Sequence, residues 1–270
     1  MTCGEGLFFE DKDITFFNGS MRSLTNANIM FEGTNIEYFS HDDDKADFSS
    51  VTTAERMFSN CASLTSVKGK FSSLKNAKEM FMDCPNISTI ECEFSDCLRV
   101  ASGMFYNCGG NCGGLTDFSC ELSELEEGDL MFAYSGLANF AGNLGSLKNG
   151  ESMFYETNLT DFVSDLSSLK NGDSMFNLTN LTNFQAPLTK LESADNMFTT
   201  CRLTPQSVMF ILDSIPTHMS GEHKLGIGIA CANTEDAKNV FAEQAGYNDW
   251  QTMTDYVTDK GWTVTWQFNN

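Results

Sequence analysis

LTDFVSDLSSLKNGDSMF, residues 159–176, and LTNFQAPLTKLESADNMF, residues 181–198, are two copies of one pattern. Aligned position by position, their Leu, Phe, Leu, Leu, Met and Phe coincide at a separation of 22 residues. A self-similar period of this length is the signature of a repeat array.

Working outward, the Met-Phe pair recurs at Met30, Met57, Met80, Met104, Met131, Met153, Met175 and Met197, with spacings of 27, 23, 24, 27, 22, 22 and 22 residues. Six residues before each Met stands Leu24, Val51, Leu74, Leu98, Leu125, Leu147, Leu169 or Leu191. Three before it stands Ala27, Ala54, Ala77, Ala101, Gly128, Gly150, Gly172 or Ala194. Only Ala or Gly is used there, so the position is expected to meet a neighbouring coil's backbone or a tight bend.

Leu159, Phe162, Leu166 and Leu169 also carry the three-and-four spacing of an amphipathic helix. The residues between them are Thr, Asp, Ser, Asn and Gly, which favour turns and strands over helices. The reading adopted is a short strand at Leu-Thr-x-Phe, then a bend, then an apolar corner ending in Met-Phe. One such coil cannot stand alone. Ordering its backbone costs roughly 1–2 kcal/mol per residue, and its few apolar side chains return about 1.5–3 kcal/mol each only when neighbours cover them. Stability must therefore belong to the stack, which needs caps at its ends.

Ile14, Phe17 and Met21 match Leu181, Phe184 and Leu188 in register and predict an N-terminal half-coil, with Leu7, Phe8 and Phe9 folded over the exposed core. HDDDKAD (residues 41–47) and GGNCGG (residues 109–114) lengthen two coils and are expected to bulge as loops. Asp42, Asp43 and Asp44 lack the alternating ligand spacing of a calcium loop. After Cys201 the pattern changes. Thr204-Pro205 starts a helix with Val208, Ile211, Leu212 and Ile215 on one face, LGIGIA (residues 225–230) alternates as a strand, and Thr234 caps a second helix. A third helical segment covers residues 250–260, and the last strand puts Trp262, Val264, Trp266 and Phe268 on one face. Residues 1–203 thus read as a repeat solenoid with its half-coil cap, and residues 204–270 as an α+β cap.

The 270-residue chain carries 37 acidic and 16 basic residues, a formal charge of −21. Such a field repels phosphate backbones, so nucleic acid is not an expected partner. No apolar run has the length of a membrane helix, and no membrane insertion is expected. The opening MTCGEGLFFEDKD is not a signal peptide. Of ten cysteines, Cys61, Cys84, Cys108 and Cys201 sit four residues after their Met, where other coils carry Thr34, Ser135, Thr157 and Thr179. A site shared by Cys, Ser and Thr is small and partly buried, and the thiols are read as reduced. Cys97, Cys108, Cys112 and Cys120 cluster without a C-x-x-C pair, which argues against zinc.

Coils such as SLKNGESMFYETNLTDF and ERMFSNCASLTSV resemble BspA-type leucine-rich repeats in the variant where Met-Phe precedes the Cys. The resemblance covers about residues 14–203. The tail segments LTPQSV, LGIGIA and KGWTVTWQF are similar to the ends of such proteins in gut bacteria and tailed phages. The resemblance implies an α/β solenoid of about eight coils with a parallel β-sheet on one wall and irregular or short helical structure on the other. It also implies a surface role in adhesion, host recognition or a virion, with no catalytic residues and no cofactor.

Two sets of side chains are candidates for function. Beside the strand Phe, the polar positions Thr89, Asp117, Asn139, Asp161 and Asn183 form an expected binding row, suited to glycan hydroxyls or protein backbone. Two residues before the Met, Asp129, Glu151, Asp173 and Asp195 form a carboxylate row that either binds cations or keeps the array soluble. His218 and His223 flank a short polar loop and are the only footing for a hydrolase. The expected function is non-enzymatic recognition of a protein or glycan surface, with other virion proteins as further partners, on a virion or cell surface. The competing reading is a cytoplasmic protein–protein adaptor.

Overall fold

The structure, a computed structural model, describes residues 2–40, 45–109, 115–218 and 221–269. Residues 41–44, with the Asp42–Asp44 run, and residues 110–114 of GGNCGG, with Cys112, lie outside the described residues, and so do the loops expected there. Up to Leu203 the chain is an array of stacked coils. Its strands are β1 (Phe16–Phe17), β2 (Tyr38–Phe39), β3 (Ala46–Asp47), β4 (Ser66–Phe71), β5 (Thr89–Phe94), β6 (Asp117–Ser119), β7 (Asn139–Ala141), β8 (Asp161–Val163), β9 (Asn183–Gln185) and β10 (Ala194–Leu203). Every pairing among them is parallel. Each strand of the 22-residue coils is a triplet centred on the Phe, so it begins later than the Leu-Thr of the sequence reading. The wall is also not one sheet. It falls into β1-β2-β4-β3 with β5 on β4, then β6-β7, then β8-β9.

Among the described residues the opposite wall is continuous and contains no helix, which is the irregular one of the two forms that the resemblance implies. A parallel ladder of single bridges runs Cys3, Asn26, Thr53, Asn76, Val100, Glu127, Asn149, Asn171, Ser193. Beyond each bridge the backbone alternates between two partners. In one coil Gly150, Ser152, Phe154 and Glu156 donate their N–H groups to carbonyls of the next coil, at 2.9, 2.9, 2.9 and 3.0 Å. Between them Met153 and Tyr155 donate three residues back, closing successive turns. These turns need left-handed backbone at every fourth residue, as at Ser152 (φ 53°) and Glu156 (φ 54°). The Leu-x-x-Leu spacing is a turn as well, because Leu169 N–H donates to Leu166 O at 3.0 Å. Turns repeating at intervals of three to four residues thus mimic a helical period.

Met and Phe of every pair are buried. The corner phenylalanines form an unbroken stack from Phe31 through Phe58, Phe81, Phe105, Phe132, Phe154 and Phe176 to Phe198, with ring centroids 5.3–5.6 Å apart. The strand phenylalanines make a second column that meets the first edge to face, as Phe162 meets Phe176 at 4.8 Å and 64°. The Ala/Gly position is small for a different reason from the expected one. A Cβ on Gly172 would meet the side chains of Met197 at 3.0 Å and Leu169 at 3.3 Å, so side chains rather than backbone fill that space.

The N-terminus holds one more corner than the Met-Phe pairs reveal. Phe8 N–H donates to Met30 O at 2.9 Å and its ring stacks on Phe31 at 5.1 Å, so Leu7-Phe8 occupies the Met-Phe place. Phe8 alone covers the core, while Leu7 and Phe9 are exposed, which corrects the expectation that all three fold inward.

After β10 come α1 (Pro205–Ser214), β11 (His223–Ile229), α2 (Glu235–Gln244), α3 (Trp250–Asp259) and β12 (Trp262–Phe268). Thr204, Thr234 and Asp249 cap the three helices by accepting N–H bonds from Ser207, Ala237 and Thr252. Lys260 Nζ donates to the carbonyls of Leu212, Asp213 and Ile215 at the end of α1. β11 lies between β10 and β12, all parallel. It is buried on both faces rather than half-buried as its alternation suggests. Its alternate glycines are spacing devices, since a Cβ on Gly228 would lie 2.4 Å from Cys201 O.

Candidate binding surface

In each strand triplet the central Phe turns into the core, so the flanking residues must face outward. Asp117 pairs in register with Asn139, and Asp161 with Asn183. Asn139 Nδ2 donates to Asp117 Oδ1 at 2.8 Å, and Asn183 Nδ2 donates to Asp161 Oδ1 at 2.6 Å. Thr116 and Thr160 hydroxyls donate to the second oxygens of the same carboxylates, each at 2.7 Å. These bonds favour the ionised form. The Thr116 hydroxyl and then the Asn139 amide hold the Asp117 carboxyl below its usual range, and the Asn183 amide followed by the Thr160 hydroxyl do so for Asp161.

The fifth expected residue, Thr89, stands in the same row but pairs with Ser66 on the other side. Register carries the row further, through Tyr38 to Phe16, which is 68% exposed. Sequence reading missed Phe16, Tyr38 and Ser66 because they carry none of the Thr, Asp and Asn side chains that mark the row in later coils. Their signal is that each directly precedes the inward residue of its strand, as Asp161 precedes Phe162. The surface therefore runs from aromatic, through hydroxyl, to carboxylate and amide.

Between Thr89 and Asp117 the strand wall parts. The corner wall stays closed there, with Val100 bridged to Glu127 and Phe105 stacked on Phe132 at 5.4 Å. The strand side opens into a cavity of about 240 Å³ lined by Ser88, Thr89, Ile90, Asp117 and Phe118 among others. A second concavity of about 370 Å³, at Phe16, Glu37 and Tyr38, marks the aromatic end of the same face.

Three members of the carboxylate row, Asp129, Glu151 and Asp173, accept hydrogen bonds from within the array. Asp173 Oδ1 accepts from Ser193 Oγ at 2.6 Å and from the Asp195 N–H at 2.7 Å, and Glu151 Oε2 accepts from Asn171 Nδ2 at 3.2 Å. The Ser102 hydroxyl donates to Asp129. Among the described residues no three His, Cys, Asp or Glu side chains converge to hold a metal ion.

His218 and His223 are brought together, their rings 3.6 Å apart and nearly parallel beside Trp262. Each ring hydrogen-bonds a carbonyl of the last coil, His218 to Leu191 O at 3.1 Å and His223 to Glu192 O at 2.8 Å. The pair thus ties the α1–β11 connection to the array. The described cysteines are all free. Cys61, Cys84 and Cys108 donate S–H bonds to the Phe carbonyl of the coil before, at 3.0, 3.0 and 2.9 Å. Thr157 and Thr179 hydroxyls donate to the Phe carbonyl of their own coil, which is why Cys and Thr exchange there. Burial pushes the thiols of Cys108 and Cys201 up to about 12, so they stay protonated and unreactive. No helix among the described residues is long and apolar enough to cross a membrane.

A search of curated proteins and a search of solved structures each returned no match. A family profile does match. The BspA type Leucine rich repeat region aligns in six copies over residues 25–141 and 111–219, which takes in most of the stacked coils and α1. Repeats of this type generally serve protein interaction and are generally not catalytic. On that match and on the parallel, Phe-centred coils, the chain belongs to the BspA-type leucine-rich repeat family.

Proposed function

We propose that the chain is a non-enzymatic recognition protein that binds a protein or glycan surface through its outward strand face. The observation that supports this reading most is the row Asp117, Asn139, Asp161 and Asn183. One amide N–H of each Asn is spent on its Asp neighbour, leaving a second N–H, an amide oxygen and the carboxylate lone pairs to face solvent. Fixed donors and acceptors alternating at coil spacing suit a partner with repeated hydroxyls or an extended backbone. The cavity between Thr89 and Asp117 adds room for one protruding ring or side chain.

In this reading the molecule has about eight coils over residues 1–203, one for each Met-Phe pair. Residues 204–270 close its far end. Its place is a tailed-phage virion or a cell surface, where host recognition or adhesion uses such a face, with other virion proteins as further partners. An intracellular adaptor is the second reading, favoured by the free, protonated cysteines.

Glycan-array and host-surface binding by the wild type, set beside Asp161→Ala/Asn183→Ala, test the strand-face reading. Loss of these contacts is expected to weaken binding by about tenfold or more. Unchanged binding in the double variant would remove the row from the site. A virion proteome containing the chain supports the surface role, and its recovery only with cytosolic complexes supports the adaptor.

A further inference from the structure

The corner wall carries an apolar surface that folding does not explain. Tyr106, Tyr134 and Tyr155, from three successive coils, form a ring ladder with centroids 5.4 and 5.3 Å apart. Leu130 and Leu178 stand on the same wall, and both are exposed, as is Tyr134. All three exposed residues have left-handed backbone: Leu130 at φ 56°, Tyr134 at φ 58° and Leu178 at φ 60°. That conformation costs a bulky L-residue roughly 1–2 kcal/mol. At the turn position of Tyr134, three residues after the Met, the earlier coils use Gly33, Asn60, Asp83 and Asn107, which suit it better, and Tyr134 is the one aromatic there. The position of Leu130 carries large residues in other coils too, as at Ile29, Arg56 and Glu79. Tyr134 packs between Tyr106 and Tyr155, yet it, Leu130 and Leu178 each leave more than a third of their surface in water. Backbone cost retained at an exposed aromatic points to use by a partner.

The surroundings define that partner's chemistry. Over residues 101–109, 128–136, 150–158 and 172–180 the corner segments contain no Lys or Arg, and they carry Asp129, Glu151, Glu156 and Asp173. Burial first, then Tyr134, then the Asp83 carboxylate raise the phenol pKa of Tyr106; burial, Tyr134 and Glu156 do the same for Tyr155. Tyrosine faces bordered by carboxylates suit a cation that stacks on the ring while pairing with the acid.

We infer that the Tyr106–Tyr134–Tyr155 ladder, with Asp83 and Glu156, docks a basic segment of a partner protein through its Arg or Lys side chains. This surface lies on the wall away from the strand face, so the molecule can hold two partners at once. A surface protein could be anchored by one wall and read its target with the other.

The test uses a fluorescent oligoarginine peptide, with an oligoglutamate peptide as comparison, at about physiological ionic strength so that distant charges are screened. The wild type is expected to bind the basic peptide and not the acidic one. Tyr134→Asn, which installs the residue found at the same turn position as Asn60 and Asn107, is expected to weaken binding about fivefold to tenfold with an unchanged melting temperature. Glu156→Gln should weaken it more than Asp161→Asn, which removes an equal charge from the strand face. Full affinity in Tyr134→Asn, or equal losses in Glu156→Gln and Asp161→Asn, would reduce the interaction to diffuse attraction by net charge and overturn the proposal. Retained oligoarginine binding with lost glycan or host-surface binding in the strand-face double variant would separate the two surfaces.

Discussion

At the scale of single residues, geometry decides how much each substitution costs. Gly172 and Gly228 both stand where a Cβ has little room, yet their neighbours differ. Gly172 faces the flexible end of Met197, and its counterparts in five of the other seven coils are Ala, so Gly172→Ala should change stability by less than about 1 kcal/mol. Gly228 faces the Cys201 backbone at 2.4 Å, which cannot yield without breaking the β10–β11 pairing. Gly228→Ala should cost at least about 3 kcal/mol in urea denaturation. A second prediction concerns the binding row. Asp161 titrates below its ordinary value of 3.8 in the fold. Its contribution to stability is therefore fully present above that value and is lost as pH falls through the depressed folded pKa. NMR titration of the Asp161 carboxyl should give a midpoint that moves back up toward 3.8 in Asn183→Ala. An unmoved midpoint would mean that the amide bond does not hold the row together.

At the scale of the coil, the inner aromatic stack carries the fold. Phe132 touches Phe105, Phe118, Phe140 and Phe154, so Phe132→Ala leaves a cavity between two coils and should cost about 3–5 kcal/mol. Phe9, 47% exposed, should cost less than about 0.5 kcal/mol on the same change. Thermal or urea melts of the two variants check the contrast. This is also the level at which the sequence was most legible. Strict periodicity made Met, Phe, Leu and Ala/Gly readable as inward positions, and their burial follows. What escaped was set by features with no periodic mark. The Leu7-Phe8 corner lacks the Met, and Phe16 and Tyr38 carry aromatic rings where the later coils of the binding row carry Asp and Asn. The parting of the wall at Thr89 depends on how one long coil splays, which no local pattern encodes. Helical spacing in Leu-x-x-Leu came from a turn, because a three-residue return looks alike in both. The tyrosine ladder was invisible for a related reason: Tyr134 sits one position later in its coil than Tyr106 and Tyr155, and only stacking aligns them.

At the scale of the whole molecule, the formal charge of −21 and the shared core act in opposite directions. Each coil satisfies alternate corner N–H groups only through the next coil's carbonyls, so no coil has a complete hydrogen-bond set by itself. The molecule should accordingly tolerate loss of one whole coil and not loss of half a coil. Removing residues 154–175 deletes 22 residues and joins Met153 to Phe176, restoring the Met-Phe pair and every later register. Removing residues 154–164 instead deletes half of that length and sets corner against strand. Thermal unfolding followed by circular dichroism compares the two deletions directly. Parallel stacking predicts one cooperative transition for the whole-coil deletion, at a lower temperature than wild type, and none for the half-coil deletion. Equal behaviour of the two, whether both fold or both fail to fold, would contradict it.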